Sequence, residues 1–161
     1  MAAGQDRATA ERKSAREWVV TRRFDAPVPA VFEAWSQAEL FRQWWVPASF
    51  GMTLLSCEID ARTGGTYRLV FSHPDLDQPM AFHGRYIEVV LDTRMAWTNE
   101  EGGEDGAVST VTFEAVDGGT RVVLRDLYPS REALDEAIGD GSTGGAVEQF
   151  EELAKLLATL G

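Results

Sequence analysis

Cysteine is nearly absent: Cys57 is the single one in 161 residues. One thiol cannot make an internal disulfide or a cysteine-rich zinc site, and a reducing compartment is the simpler setting for such a chain. Histidine is as scarce, with His73 and His83 alone, which leaves little for imidazole-based metal or nucleophilic chemistry. No apolar run approaches the ~20 residues of a membrane span, and Met1 to Lys13 lack the apolar stretch of a signal peptide. A cytoplasmic protein without membrane insertion is therefore expected. Positive charge is also short, since 15 Lys and Arg stand against 26 Asp and Glu, for a net charge of −11. Six of those basic residues fall in the first 23 positions, so the rest is more acidic still. Such a surface repels phosphate backbones and anionic lipid, which argues against nucleic acid as a partner. What is present is 44% apolar residues, enough for one domain. A chain of this size buries roughly 70% of its extended surface without a staple.

Residues 1–16 are polar with no sustained period and read as a flexible tail; residues 17–161 read as a single domain. Glu17–Phe24 is β-branched and aromatic, as a strand should be, and ends at Asp25-Ala26-Pro27. Two short helical patterns follow, Ala30–Trp35 and Gln37–Trp45, the second stopped by Pro47. From Phe50 to Tyr128 the period falls to 2, giving strands Phe50–Asp60, Gly65–Ser72, Met80–Val90, Arg94–Glu100, Ala107–Val116 and Thr120–Tyr128. The links are too short for parallel crossovers, so the seven strands should be antiparallel. A short helix, Ser130–Ile138, precedes a long amphipathic one from Ser142 or Thr143 to Leu160, whose stripe is Ala146, Val147, Phe150, Leu153, Ala154, Leu157 and Leu160. The fold class is α+β.

A curved seven-stranded sheet offers a broad apolar face, and an 18-residue helix, about 27 Å by 10 Å, is too narrow to cover it. A cavity is expected between them. Alternation points Tyr67, Leu69 and Phe71 inward, then Phe82, Gly84 and Tyr86, then Met95, Trp97 and Asn99. Val111 and Phe113 follow, and after them Val122, Leu124, Asp126 and Tyr128. Asn99 and Asp126 are the exceptions in an apolar set, because a buried amide or carboxylate needs a partner or a ligand. The candidate ligand-lining residues are Trp45, Tyr67, Phe71, Phe82, Tyr86 and Trp97, with Phe113, Leu124, Asp126, Tyr128 and Phe150. Aromatic residues in such places also simply pack cores. Candidates for proton transfer are Asp126 and Tyr86, with Tyr67, Tyr128 and Glu88 as further titratable groups on the strands.

Other chemistry fails on context. Gly139-Asp140-Gly141-Ser142-Thr143-Gly144 fits the dinucleotide fingerprint in form, yet it follows a helix and no second strand supplies the ribose-binding acid. His73, Asp75 and Asp77 share one loop and could hold a metal, though a solvated loop explains them as well. Asp60 and Arg62 flank a turn and should pair with each other or cap backbone groups. No cofactor is expected.

Several ordered segments resemble one family. They are Thr21-Arg22-Arg23-Phe24-Asp25-Ala26-Pro27, Val31-Phe32-Glu33-Ala34-Trp35, and Leu40-Phe41-Arg42-Gln43-Trp44-Trp45-Val46-Pro47. Asp60-Ala61-Arg62-Thr63-Gly64-Gly65-Thr66-Tyr67-Arg68, Phe82-His83-Gly84-Arg85-Tyr86-Ile87-Glu88, Gly119-Thr120-Arg121-Val122-Val123-Leu124 and Gly144-Gly145 complete the set. Together they are similar to bacterial proteins related to the C-terminal domain of the activator of Hsp90 ATPase, in the START-like, polyketide-cyclase-like superfamily (SRPBCC). The resemblance implies the helix-grip (START/Bet v 1-like) fold, a seven-stranded antiparallel sheet wrapped around a long C-terminal helix, with two short helices between strands 1 and 2. It implies binding of a small hydrophobic molecule, aromatic or lipid-like, in the cavity; a cyclase or aromatase using a cavity Asp or Tyr, and an Hsp90-type co-chaperone, are the alternatives. The co-chaperone ranks last, because the additional N-terminal domain of the eukaryotic proteins is missing from the sequence. Homodimerisation stays open.

Overall fold

A computed structural model of the chain describes residues 8–46, 51–100, 106–139 and 145–160. Twelve elements follow in order: β1 (Thr9–Ser14), β2 (Glu17–Phe24), α1 (Val28–Ser36), α2 (Ala38–Phe41), β3 (Thr53–Ile59), β4 (Thr66–Ser72), β5 (Met80–Val90), β6 (Arg94–Thr98), β7 (Val108–Val116), β8 (Gly119–Leu127), α3 (Arg131–Gly139) and α4 (Gly145–Leu160). The strands form one antiparallel sheet in the order β1-β2-β8-β7-β6-β5-β4-β3. The second and last strands, β2 and β8, are thus neighbours, and α1 with α2 carries the chain from β2 to β3 at the far edge.

The sheet has eight strands rather than the expected seven. The addition is β1, drawn from the segment read as a tail, which pairs with β2 from Thr9↔Thr21 to Ser14↔Glu17. Its sequence, TAERKS, is exposed at five of its six positions, so an edge strand with no buried face leaves no alternation to read. Its charges also suit an edge that must not recruit another strand.

Helix α1 starts where Pro27 occupies the N-cap and a second proline the first turn, positions that need no amide donor. It buries Val31, Phe32, Ala34 and Trp35 and ends at Gln37, whose amide bonds to Glu33 O. The indole of Trp44 donates to Ala34 O at 2.9 Å and pins the following turn back onto α1. Helix α4 buries Phe150, Leu153 and Leu157, whereas Val147, at the margin of the stripe, is 37% exposed. Arg22 on β2 reaches under α4, donating from Nη1 to Phe150 O at 2.9 Å and lying 3.6 Å from Glu151.

Strand register arranges the gripped face in rows. One row is aliphatic throughout: Val20, Leu124, Val111, Met95 and Val89. The next is Arg12, Trp18, Asp126, Ser109, Trp97 and Tyr86, which joins six strands. A β-bulge between Tyr86 and Glu88 inserts Ile87 and shifts the face by one residue, so Val89 instead of Glu88 shares a face with Met95. Glu88, a titratable group read by simple alternation as inward, therefore points out and pairs with Arg94 at 2.6 Å. Gly84 is a residue-specific requirement: a Cβ there would stand 2.0 Å from Thr98 O. No described helix is long and apolar enough to cross a membrane.

Candidate functional site

The row holding Asp126 is where polar groups enter the gripped face. Pairing of β8 with β2 and β7 is regular through Leu127, so no bulge turns Asp126 away. Its Oδ1 accepts from Ser109 Oγ at 2.6 Å, and Ser109 in turn accepts from Asn99 Nδ2 at 3.0 Å. Tyr67 donates its hydroxyl to Thr98 O at 2.8 Å, with Asn99 Oδ1 at 3.4 Å. The two polar exceptions in the inward set are thus linked through one serine, and a chain of polar atoms runs from β4 to β8. Burial pushes the Asp126 carboxyl up to about 6, against the smaller opposing effect of the Ser109 hydrogen bond. Opposite it in register, Trp18 Nε1 is buried and makes no hydrogen bond to a described residue. Ser109 was not among the expected site residues, although its parity with Val111 and Phe113 marks it.

The aromatic candidates separate into two groups. Trp97, Phe113 and Phe150 pack on Trp35, at ring distances of 6.0, 6.2 and 6.1 Å, and belong to the filled part of the interior. Trp35 comes from α1 and was not expected here; its place in the family-like segment Val31–Trp35 was the available signal. Leu124 lies in the aliphatic row between Val20 and Val111. The second group lines β4 and β5. Phe71 and Phe82 stack at 4.7 Å, and Tyr67 lies 5.8 Å from Tyr86. Tyr67, Phe82 and Trp45 are only partly buried. Trp45 stacks on Phe41 at 4.7 Å, and its carbonyl accepts from Gln149 of α4. Tyr128 follows β8, where its backbone exchanges hydrogen bonds with Arg16.

Tyr86 is buried, 5% exposed, with its ring between those of Tyr67 and Trp97. Burial, then the charges of Cys57 and Asp60, raise its pKa above the ordinary phenol range and keep it a donor. Cys57 faces the same side from β3, beneath α2. Burial pushes its thiol up to about 11, partly opposed by Arg42, so it stays a neutral thiol at neutral pH.

Other expected features resolve locally. A cleft of about 360 Å³ lined by Glu58, Ile59, Asp60, Thr66, Tyr67 and Arg68 lies at β3 and β4. Its lining takes Glu58, Thr66 and Arg68 from one face of these strands and Ile59 and Tyr67 from the other. Asp60 and Arg62 pair across their exposed turn, Arg62 Nε donating to the two carboxylate oxygens at 3.0 and 2.9 Å. His73 Nδ1 accepts the Asp75 amide at 3.0 Å, a local turn bond. The glycine-rich motif lies, beyond Gly139, outside the described residues, as does Gly144 of the Gly144-Gly145 pair.

Comparison with known proteins agrees with this architecture. No curated protein matches the chain. A structure from Rhodobacter sphaeroides, 22% identical, superposes with a TM-score of 0.85 over 96% of this chain and 99% of its own. A solution structure from Staphylococcus epidermidis, 28% identical, gives 0.77 over 94% of each chain. An AHSA1-like protein from Aeromonas hydrophila, 21% identical, gives 0.66 over 87% of this chain and 94% of its own. The sequence profile of one family covers residues 25–158, from the end of β2 to the last turns of α4. On that match, carried by a helix-grip architecture, the chain belongs to the family of activator of Hsp90 ATPase homolog 1-like proteins.

Proposed function

We propose that the protein binds a small, apolar, ring-bearing molecule against the inner face of β4, β5 and β6, below α2 and Trp45. The observation that carries this reading is the division of the interior. The principal helix–sheet contacts run from α1 to β7 and β8, from α4 to β2 and from α2 to β3. The stacked Phe71 and Phe82, with Tyr67 and Tyr86, lie on the strands between. Burial supplies the affinity: a ligand hiding roughly 250 Å² gains about 6 kcal/mol at ~25 cal/mol per Å² before ordering costs, which suits micromolar binding.

Titration with flat aromatic ligands, followed through the five tryptophans, is expected to give saturable quenching and a rise in melting temperature. Phe82→Asp should abolish both, because it puts a charge in the middle of the aromatic wall. Absence of quenching and of a thermal shift across the panel removes this reading.

A second reading rests on Asp126: a partly buried carboxyl titrating at about 6 and joined to a hydrogen-bonded chain is suited to general acid–base work on an enclosed substrate. Turnover of a polyketide-like substrate would then follow a group near pH 6 and disappear in Asp126→Asn. Turnover that survives the substitution excludes Asp126 from the chemistry.

A further inference from the structure

Among the described strand residues, the charged side chains on the gripped face are Arg12, Arg22 and Asp126. Both arginines are committed elsewhere. Arg12 holds Asp135 of α3 at 2.6 Å and donates to Ala15 O at 2.7 Å. Arg22 stands one strand over and further along β2, about 13 Å from the position of Trp18, where Phe150 O and Glu151 take it up. Asp126 accepts from Ser109 Oγ at 2.6 Å through one oxygen and has no cation among the described residues. Its neighbour in register supplies no second donor, because Trp18 Nε1 bonds to no described residue. An ionised carboxyl so placed is costly until a counter-charge reaches it. Asp126 and Trp18 are both only partly buried, so a small molecule has access to them.

We propose that Asp126 binds the ammonium group of a small apolar amine whose body lies beside Trp18. The surroundings select that chemistry. A metal ion needs more ligands than one carboxyl, and no group of three or more His, Cys, Asp or Glu side chains suited to a metal exists among the described residues. A guanidinium matches a carboxylate through two parallel bonds, and Ser109 already occupies one oxygen. An ammonium is a compact charge that the remaining oxygen can hold. Indole faces attract cations, and the row places Trp18 on one side of Asp126 and Trp97 on the other, beyond Ser109. Asn99 donates to Ser109 at 3.0 Å and so keeps the serine hydroxyl aimed at Asp126. The net charge of −11 draws cations toward the protein and turns carboxylate-bearing molecules away. This site stands apart from the aromatic wall of β4 and β5 and does not rest on its occupancy. It uses the carboxyl of the acid–base reading and requires no turnover.

The test titrates nitrogen-15-labelled protein with phenethylammonium, 2-phenylethanol and 3-phenylpropionate near pH 8, where the Asp126 carboxyl is ionised, and follows the indole N–H signals of the five tryptophans. Loss of one signal in Trp18→Phe assigns that of Trp18. Phenethylammonium is expected to shift the Trp18 signal saturably, and Asp126→Asn to weaken its binding roughly 10–100-fold, the worth of a charge-assisted hydrogen bond. Phenylethanol should bind weakly and equally to both proteins, and phenylpropionate to neither. Asp126→Asn keeps an acceptor for Ser109, and an unchanged spectrum away from the site shows that its fold is intact. The assignment is overturned if phenethylammonium leaves the Trp18 signal unmoved, if the variant binds it as tightly as wild type, or if amine and alcohol weaken by the same factor. The same shift produced by ammonium chloride over the same range would mean a response to charge alone and would remove the amine class. None of these outcomes bears on quenching by flat aromatic ligands, so this site and the aromatic wall fail separately.

Discussion

Trp35→Ala is expected to lower the unfolding free energy by about 3–5 kcal/mol, the range for removing a large aromatic side chain from a packed interior. Trp35 is 1% exposed and touches six rings: Phe41, Trp44, Trp45, Trp97, Phe113 and Phe150, with centroids 4.6–6.5 Å away. Those rings come from α2 and the turn after it, from β6 and β7 and from α4, so the deletion removes the common surface on which three parts of the fold meet. A domain of ordinary stability holds only about 5–15 kcal/mol, and the variant should be marginal. Trp35→Phe should cost less, both because a ring remains and because the buried Nε1, which has no described hydrogen-bond partner, goes with the indole. Urea denaturation of the two variants measures this directly. A loss below about 1 kcal/mol in Trp35→Ala would mean that this half of the interior is loosely filled, and that the division between packed core and ligand wall is misplaced.

Asp126→Asn is expected to stabilise the protein above pH 6, with the gain fading as the pH is lowered. Burial places the carboxyl at about 6 in the folded chain, against 3.8 for a free aspartate. Between those values the folded state binds more protons than the unfolded state, so wild-type stability falls as pH rises from about 4 to 6 and the penalty is complete above that window. Below about pH 4 both states are protonated and the contribution vanishes. Asparagine cannot ionise and still offers Ser109 an acceptor, so the substitution removes the penalty and keeps the hydrogen bond. The shift corresponds to on the order of 2 kcal/mol, allowing for the solvent contact that Asp126 retains. Arg12, the basic residue of the same row, is engaged with Asp135 at 2.6 Å, two strands from Asp126. The informative quantity is the difference between variant and wild-type melting curves from pH 4 to 8, since other carboxylates cancel in it. A flat difference would show that Asp126 is solvated and would also remove the acid–base reading.

The two predictions concern two parts of the interior, and they depend on different features of the chain. Strand parity placed Tyr67, Phe71, Phe82, Tyr86, Trp97 and Asp126 on the gripped face from alternation alone, because a half-buried strand must segregate its side chains by turns. The same rule misplaced Glu88, since one inserted residue at Ile87 reverses every face that follows it within the strand, and nothing in the local composition announces it. Strand β1 escaped for a related reason: its hydrogen bonds come from β2, and a backbone ladder at an exposed edge imposes no pattern on side chains.

By itself the sequence determined the period of each segment, the antiparallel meander, the long terminal helix and the acidic balance, all of which are local or additive properties. Only the tertiary structure decided how the interior is shared out. A slim terminal helix over a broad sheet leaves space, but whether that space is empty depends on where α1 delivers Trp35, and that is set by contacts among residues far apart in the chain. The pairing of Asp126 with Ser109 has the same origin, because a hydrogen bond between strands depends on register, which no single segment contains.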